Sequence, residues 1–135
     1  MIMKRVSIIL MLIAVLSCQE RHPAFFEEID GVYFNNLSST MSVTDSMDFT
    51  FVYEAGDVLE VPVKVQLVGR PAEEDRPLDV VVSSEDAVEG TDFTLPERAF
   101  LPAGESRTDY VVKLMRTPAL KQQRKMITLE IRANN

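Results

Sequence analysis

Alternating hydrophobic and polar positions mark most of this chain as β-structure. The clearest pattern runs from Leu59 to Val68, where aliphatic residues at odd positions alternate with polar residues or proline at the even positions 60 to 66. A period of two over ten residues predicts a strand with one buried face. Pro62 falls on the outer face, and because proline has no N–H for a ladder, we predict an edge position or a bulge there.

Shorter segments repeat the pattern on both sides of this strand. They are residues 32–34, 47–53, 78–82, 110–114 and 127–131. Turn signals rich in glycine, proline and acidic residues separate them at 54–57, 69–71 and 102–105. The one helix candidate, Pro118 to Lys125, is better interpreted as a polar connection. Short strands between such turns predict an all-β, antiparallel sandwich.

The amino terminus carries a different pattern. Lys4 and Arg5 precede an apolar run of eleven residues, Val6 to Leu16, in which Ser7 is the one polar residue. A helix of that length covers roughly 16 Å of a hydrocarbon core that is ~30 Å thick. The run is therefore too short to span a bilayer, and its length and basic flank are typical of a secretory signal.

Val15-Leu16-Ser17-Cys18 resembles the bacterial lipobox, with a small residue before a cysteine. The resemblance implies cleavage between Ser17 and Cys18 and acylation of Cys18 with fatty acids such as palmitate. The alternative is an ordinary signal followed by a free or reactive cysteine, which is unusual in an exported protein. Cys18 is the single cysteine, so the fold has no internal disulfide. We predict a signal peptide over 1–17, a lipidated tether over 18–30 and one sandwich domain over 31–135.

Charge restricts the partners of this domain. Loss of Lys4 and Arg5 with the signal changes the formal net charge from −7 to −9. An acidic surface argues against nucleic acid and anionic lipid as partners, because both select for an excess of Lys and Arg. The chain has no tryptophan, but Tyr33, Tyr53 and Tyr110 could stack on a sugar.

The region from Asp48 to Ala133 resembles the Calx-beta type of immunoglobulin-like sandwich. The matching motifs are Glu54-Ala55-Gly56-Asp57 before the long strand, Gly69 after it, then residues 87–93 (AVEGTDF) and 100–105 (FLPAGE). Together with the lipobox and Val32-Tyr33-Phe34, the whole chain is similar to a family of Bacteroidetes surface lipoproteins. That resemblance implies a link to outer-membrane uptake of glycans, beside which such proteins are often encoded. Members usually extend past Asn135, which suggests a truncated member.

Calcium is the sharpest chemical hypothesis that the Calx-beta resemblance implies. Glu54 and Asp92 match the acidic loop positions of that fold, and Glu85 and Asp86 offer further oxygens. Calcium takes six to eight oxygen ligands, several from carboxylates. Where the resemblance implies a further pair of acids, this chain has Arg116-Thr117. The simpler hypothesis is that Glu54 and Asp92 bond to backbone N–H groups in turns.

The residue types of the predicted sandwich also argue against a catalytic function. His22 is the only histidine and lies in the tether, so the sandwich has neither a Ser/His/Asp arrangement nor zinc ligands of the usual types. We therefore expect a non-enzymatic, membrane-anchored lipoprotein that acts as an accessory binding or assembly module in glycan or nutrient uptake. We place it at the outer membrane, facing the cell surface or the periplasm. The alternatives are a Ca²⁺-dependent adhesion module and a structural spacer.

Overall fold

A computed structural model describes residues 31–37 and 44–132 of the chain. These residues form eight strands and one short 3₁₀ helix, Pro118–Lys121. The strands are β1 (Gly31–Phe34), β2 (Val58–Val68), β3 (Arg76–Pro77), β4 (Asp79–Ser83), β5 (Phe93–Thr94), β6 (Phe100–Leu101), β7 (Arg107–Met115) and β8 (Thr128–Arg132). In the part that the structure describes, no helix has the length and apolar character needed to cross a membrane.

The strands make one larger sheet and two smaller ones. The larger sheet has the order β1-β2-β7-β5, and its neighbouring strands are all antiparallel. β3 pairs with β6 and β4 with β8, again antiparallel. The N–H of Leu78, directly after β3, donates to the carbonyl of Ala99, directly before β6, at 2.9 Å and so extends the β3–β6 pairing by one residue. The predicted all-β, antiparallel class is confirmed.

The core lies between the larger sheet and the β4–β8 pair. Val61, Val63 and Val65 of β2 are buried, and the alternating residues between them are exposed, as the pattern predicts. Residues from β4 and β8, among them Val82 and Leu129, pack against this set. Because each layer contributes one apolar face to a shared interior, the arrangement is a sandwich.

Pro62 lies in the part of β2 beyond its pairing with β1. The N–H of Leu67 donates to the carbonyl of Ser106, and that of Arg116 to the carbonyl of Asp57. Because bonding alternates along an antiparallel pair, odd-numbered residues of β2 bond to β7 and even-numbered residues bond to the other side. Among the described residues, β1 pairs with that other side from Val65 to Val68, and the N–H of Asn35 extends the contact to the carbonyl of Lys64 at 2.8 Å. Pro62 lies beyond this pairing, but β2 itself is an interior strand of the larger sheet rather than an edge strand.

The predicted strand over 47–53 is wrong. Among the described residues this segment has no strand partner, and it runs into a turn in which the N–H of Glu54 donates to the carbonyl of Phe51 at 3.2 Å. Val52 and Tyr53, the central residues of the turn, are 78% and 89% exposed. Alternation alone did not produce a strand here: the segment leads into a turn whose carbonyls at Phe51, Glu54 and Gly56 are bonded by the Arg116 side chain.

The sequence pattern did not predict three of the short strands, but it did predict the long connection after β7. β3, β5 and β6 have two residues each, too few for a period of two to show in the sequence. The segment after β7 is a connection with one 3₁₀ turn, which agrees with the interpretation of 118–125. The Leu78, Tyr110 and Ile127 segments all belong to strands or immediately precede them.

Candidate functional site

The two ends of the sandwich differ in what they carry. Gly31, where the described chain begins, pairs with Val68 at the carboxyl end of β2, whereas Val58 at the opposite end pairs with Met115. At a rise of about 3.3 Å per residue, the eleven residues of β2 separate these ends by roughly 33 Å. We call the loops 51–57, 84–92 and 116–127 the far end, and the end at Gly31 the tether end.

Arg116 organises the turn at the far end. Its Nη2 lies 3.1 Å from the carbonyl oxygen of Phe51, 2.6 Å from that of Glu54 and 3.0 Å from that of Gly56. The Nε lies 3.4 Å from Oδ1 of Asp57, and the guanidinium carbon is 5.4 Å from the centre of the Phe51 ring. A planar guanidinium suits this role because its donors diverge in a fixed geometry and its face can lie against a ring.

The turn that Arg116 holds is unusual in its central residues. Turns usually place Gly, Pro, Asn or Asp at their tips, for conformational or hydrogen-bonding reasons. Here the tip is Val52-Tyr53, with the N–H of Val52 donating to the Thr50 hydroxyl at 3.2 Å. Both tip side chains are exposed, so they do not stabilise the core. Because Arg116 contacts backbone carbonyls, the turn is held whatever side chains its tip carries.

A second polar cluster is built around Asp92. Oδ1 accepts a bond from Lys125 Nζ at 2.6 Å and one from the Thr117 hydroxyl at 3.1 Å, and Oδ2 accepts one from the Val88 N–H at 2.9 Å. The side chains of Asp92 and Lys125 are 6% and 13% exposed. The bond from Lys125 is the main reason that the pKa of Asp92 is lowered below its usual value, and the Val88 N–H adds to the effect.

The far end thus contains the calcium candidates of the sequence, and the carboxylates of Asp92 and Asp86 are each bonded to other groups. Asp92 is occupied by a lysine, and Asp86 accepts the N–H of Met126 at 2.9 Å and the Ser84 hydroxyl at 3.2 Å. The backbone carbonyl of Glu54 is bonded to Arg116. Among residues 31–37 and 44–132, no three carboxylate, imidazole or thiolate side chains are grouped so that they could hold a metal ion. Calcium at Asp92 would have to displace the ammonium of Lys125.

Exposed apolar side chains concentrate at the same end. Six large hydrophobic residues of the described part are more than half exposed, and only Leu37 lies elsewhere. The other five are Val52, Tyr53, Val58, Val88 and Met126, of which Val58 is the first residue of β2 beside the turn. Large apolar groups gathered on one surface are typical of a site that a partner covers.

The three tyrosines considered for sugar stacking differ in their exposure. Tyr110 is a core residue with 5% exposure, so its ring is not accessible to a sugar, and burial raises the pKa of its hydroxyl, helped by the charge of Glu89. Tyr33 is 41% exposed on β1, and Tyr53 is 89% exposed. Tyr53 is therefore the one tyrosine whose ring is almost wholly available.

A small depression lies away from the far end. It has a volume of about 100 Å³, and its lining includes Leu78, Arg98, Phe100 and Tyr110. A wider, more open depression beside it also includes Arg98 and Phe100. The first of these is too small for a sugar or a cofactor.

Several residues of the predicted sites lie outside the part of the chain that the structure describes. Ser17, Cys18 and His22 lie outside the described residues, as does the whole tether over 18–30. Sequence reasoning also missed two organising residues, Arg116 and Lys125. Arg116 was noted only as a cation where acids were expected, and Lys125 stood in a connection with no pattern that distinguished it.

Comparison with known proteins identifies a family. The model for a domain of unknown function (DUF4843) matches residues 26–135, so the chain belongs to that family. The match begins eight residues after Cys18 and includes the entire far end. Neither a curated protein nor a solved structure gives a match.

Proposed function

We propose that this member of the DUF4843 family is a non-enzymatic lipoprotein of the Bacteroidetes type, anchored through Cys18 in the outer membrane. We further propose that it serves as an accessory binding or assembly module in the uptake of glycans or other nutrients. The observation that carries the proposal is the concentration of exposed apolar residues at the far end, opposite the end at which the tether joins. An anchored module needs its binding surface away from its anchor.

The anchor supports this orientation through its distance from the domain. Twelve residues, 19–30, separate Cys18 from β1. A chain of that length spans at most about 45 Å when extended. The tether end is thus limited to about 45 Å from the bilayer, and the far end can reach about another 33 Å outward. Acyl chains contribute ~0.8 kcal/mol per buried CH₂, so more than one chain gives stable anchoring.

Fractionation of cells that express Cys18→Ala tests the anchor. We expect the native chain to remain with the membrane after a carbonate wash and to incorporate labelled palmitate. The variant should lose the label and appear in the soluble fraction, because its thiol acceptor is gone. Membrane retention of an unlabelled Cys18→Ala variant would remove the anchor from the proposal.

Detergent-solubilised lipoprotein on a glycan array, together with its binding to isolated outer-membrane uptake proteins, tests the accessory role. Binding to either kind of target that is lost on changing far-end residues supports the role. Absence of binding to both, with an intact fold by circular dichroism, would leave the structural spacer as the better description.

The Ca²⁺-dependent module of Calx-beta type is the alternative. Its test is calorimetric titration of the lipoprotein with CaCl₂, with Asp92→Asn as the matched control. Heat at micromolar metal that disappears in the control would favour it. We expect neither heat nor a rise in melting temperature, because Lys125 already supplies the positive charge next to Asp92.

A further inference from the structure

The Val52-Tyr53 tip combines three features that rarely occur together. It is apolar, it is almost fully exposed, and it is held by backbone contacts to Arg116 that do not depend on its side chains. Ordering a loop on binding costs free energy, so a turn that is already ordered binds more tightly for the same contacts. Valine and tyrosine also lose little rotamer freedom when they are covered, because each has few rotatable bonds.

The shape of the tip favours a particular class of partner. Val52 and Tyr53 project from the centre of a four-residue turn, so the surface is convex. A convex pair of apolar side chains fits a recess in another macromolecule, as anchor residues do at protein interfaces, where tyrosine is enriched. A sugar ring would instead need a platform or a groove with several polar groups around it.

Charge around the tip restricts the partner further. Residues 44–57 contain four carboxylates (Asp45, Asp48, Glu54 and Asp57) and no lysine or arginine. Asp57 is paired with Arg116, and Asp48 lies 3.6 Å from the highly exposed Arg124. In the described residues, Glu54 forms no ion pair. The neighbouring loop 116–127 brings four cations to the same end (Arg116, Lys121, Arg124 and Lys125), against six carboxylates in the loops 51–57 and 84–92. The far-end loops are therefore net acidic, with the unpaired Glu54 next to the tip, and their complement is a cationic surface.

From these observations we propose that the tip, Val52-Tyr53, is the anchor of a protein–protein interface at the far end. The partner is a protein that offers an apolar recess with lysine or arginine at its rim. This inference rests on the proposed function, since it specifies the partner class of the accessory module. It fails separately from the anchor, because Cys18→Ala fractionation does not depend on the tip.

Site-specific photo-crosslinking of the full lipoprotein in intact cells tests the interface. The photoreactive p-benzoylphenylalanine replaces Tyr53 in one strain and Phe100 in a control strain. Phe100 is also an exposed aromatic residue, at 40%, but it lines the depressions away from the far end. We expect a defined protein adduct from position 53 and none of that mass from position 100. Equal adducts from both positions, or none from position 53, would overturn the proposal.

Binding with purified components then decides the chemistry. The protein identified in the adduct is titrated with native lipoprotein and with the V52S/Y53S, E54Q and F100S variants. We expect V52S/Y53S to weaken binding by about tenfold or more, as for interface anchors, with unchanged melting temperature. E54Q should weaken binding modestly and reduce its salt dependence, and F100S should leave it unchanged. Unchanged affinity in V52S/Y53S overturns the interface, and glycan-array binding that is lost in V52S/Y53S identifies a sugar instead.

Discussion

Asp92 and Lys125 show how much a single pair of side chains contributes to this small domain. A buried carboxylate without a partner is costly, because the interior does not replace the water that the charge loses. Here Lys125, Thr117 and the Val88 N–H together provide that replacement. The pair also connects β5 to the long connection between β7 and β8.

Lys125→Met should therefore destabilise the domain by about 3 kcal/mol, because it leaves the Asp92 charge buried without its cation. Lys113→Met is the matched control, since Lys113 pairs with Glu60 in a bridge whose side chains are 53% and 63% exposed. An exposed pair of this kind contributes at most about 1 kcal/mol. Urea denaturation measures both variants, and equal losses would contradict the importance of the buried pair.

The lowered pKa of Asp92 predicts a specific dependence on pH. A carboxyl whose folded pKa lies below its unfolded value contributes stability above the unfolded value, about 3.9 for aspartate. That contribution is lost as the pH falls through the lower, folded pKa. Thermal unfolding from pH 7 down to pH 2 should show a steeper acid loss in the native chain than in Asp92→Asn. Parallel curves would mean that Asp92 does not titrate differently in the folded state.

The alternation of apolar and polar residues predicts a strand correctly in one segment of this domain and wrongly in another. In β2 the alternating pattern does form a strand, because its apolar face packs into the core through Val61, Val63 and Val65. Its polar face is turned away from the core. The 47–53 segment alternates as well, but it lacks a neighbouring strand, and Arg116 takes the carbonyls of Phe51, Glu54 and Gly56. Alternation thus predicts a strand only where the fold supplies a partner for the backbone.

Arg116→Lys should loosen the turn while preserving charge. The three carbonyls all contact the single Nη2, which a shorter lysine side chain does not reach, and an ammonium also loses the Nε contact to Asp57 and the flat face over Phe51. We expect faster hydrogen exchange at the Glu54 amide and a loss of about 1–2 kcal/mol in stability. Arg124→Lys is the control, because its exposed pair with Asp48 should matter little. Unchanged exchange at Glu54 in Arg116→Lys would show that the turn forms without this residue.

The complete molecule has a direction, with a tether end and a far end. The direction follows from antiparallel pairing, since β1 covers the carboxyl end of β2 and the loops 51–57 and 116–127 meet at its start. It places the apolar tip on the side that an anchored protein presents to partners. The depression lined by Arg98 and Phe100 lies away from the far end.

Energy transfer from a labelled cysteine to a fluorescent lipid tests this direction. Cys18 is acylated in our proposal, so a dye reacts only with the engineered thiol of Tyr53→Cys or Val68→Cys. Because the ends of β2 are roughly 33 Å apart, the lipoprotein in liposomes should transfer less energy from position 53 than from position 68. Equal transfer from both positions would show that the domain lies flat or tumbles freely on the membrane.

Local patterns in the sequence were sufficient for the class of fold and for the anchor hypothesis. Alternation along Leu59–Val68 and the Val15–Cys18 motif are properties of adjacent residues, so no knowledge of the fold is needed to see them. The contacts at the far end, in contrast, join residues that are distant in the sequence. Arg116 bonds to carbonyls 60 to 65 residues away, and Asp92 bonds to side chains 25 and 33 residues away. Such contacts depend on how the strands are ordered and registered, and chain folding alone brings these residues together into a surface with an exposed apolar tip.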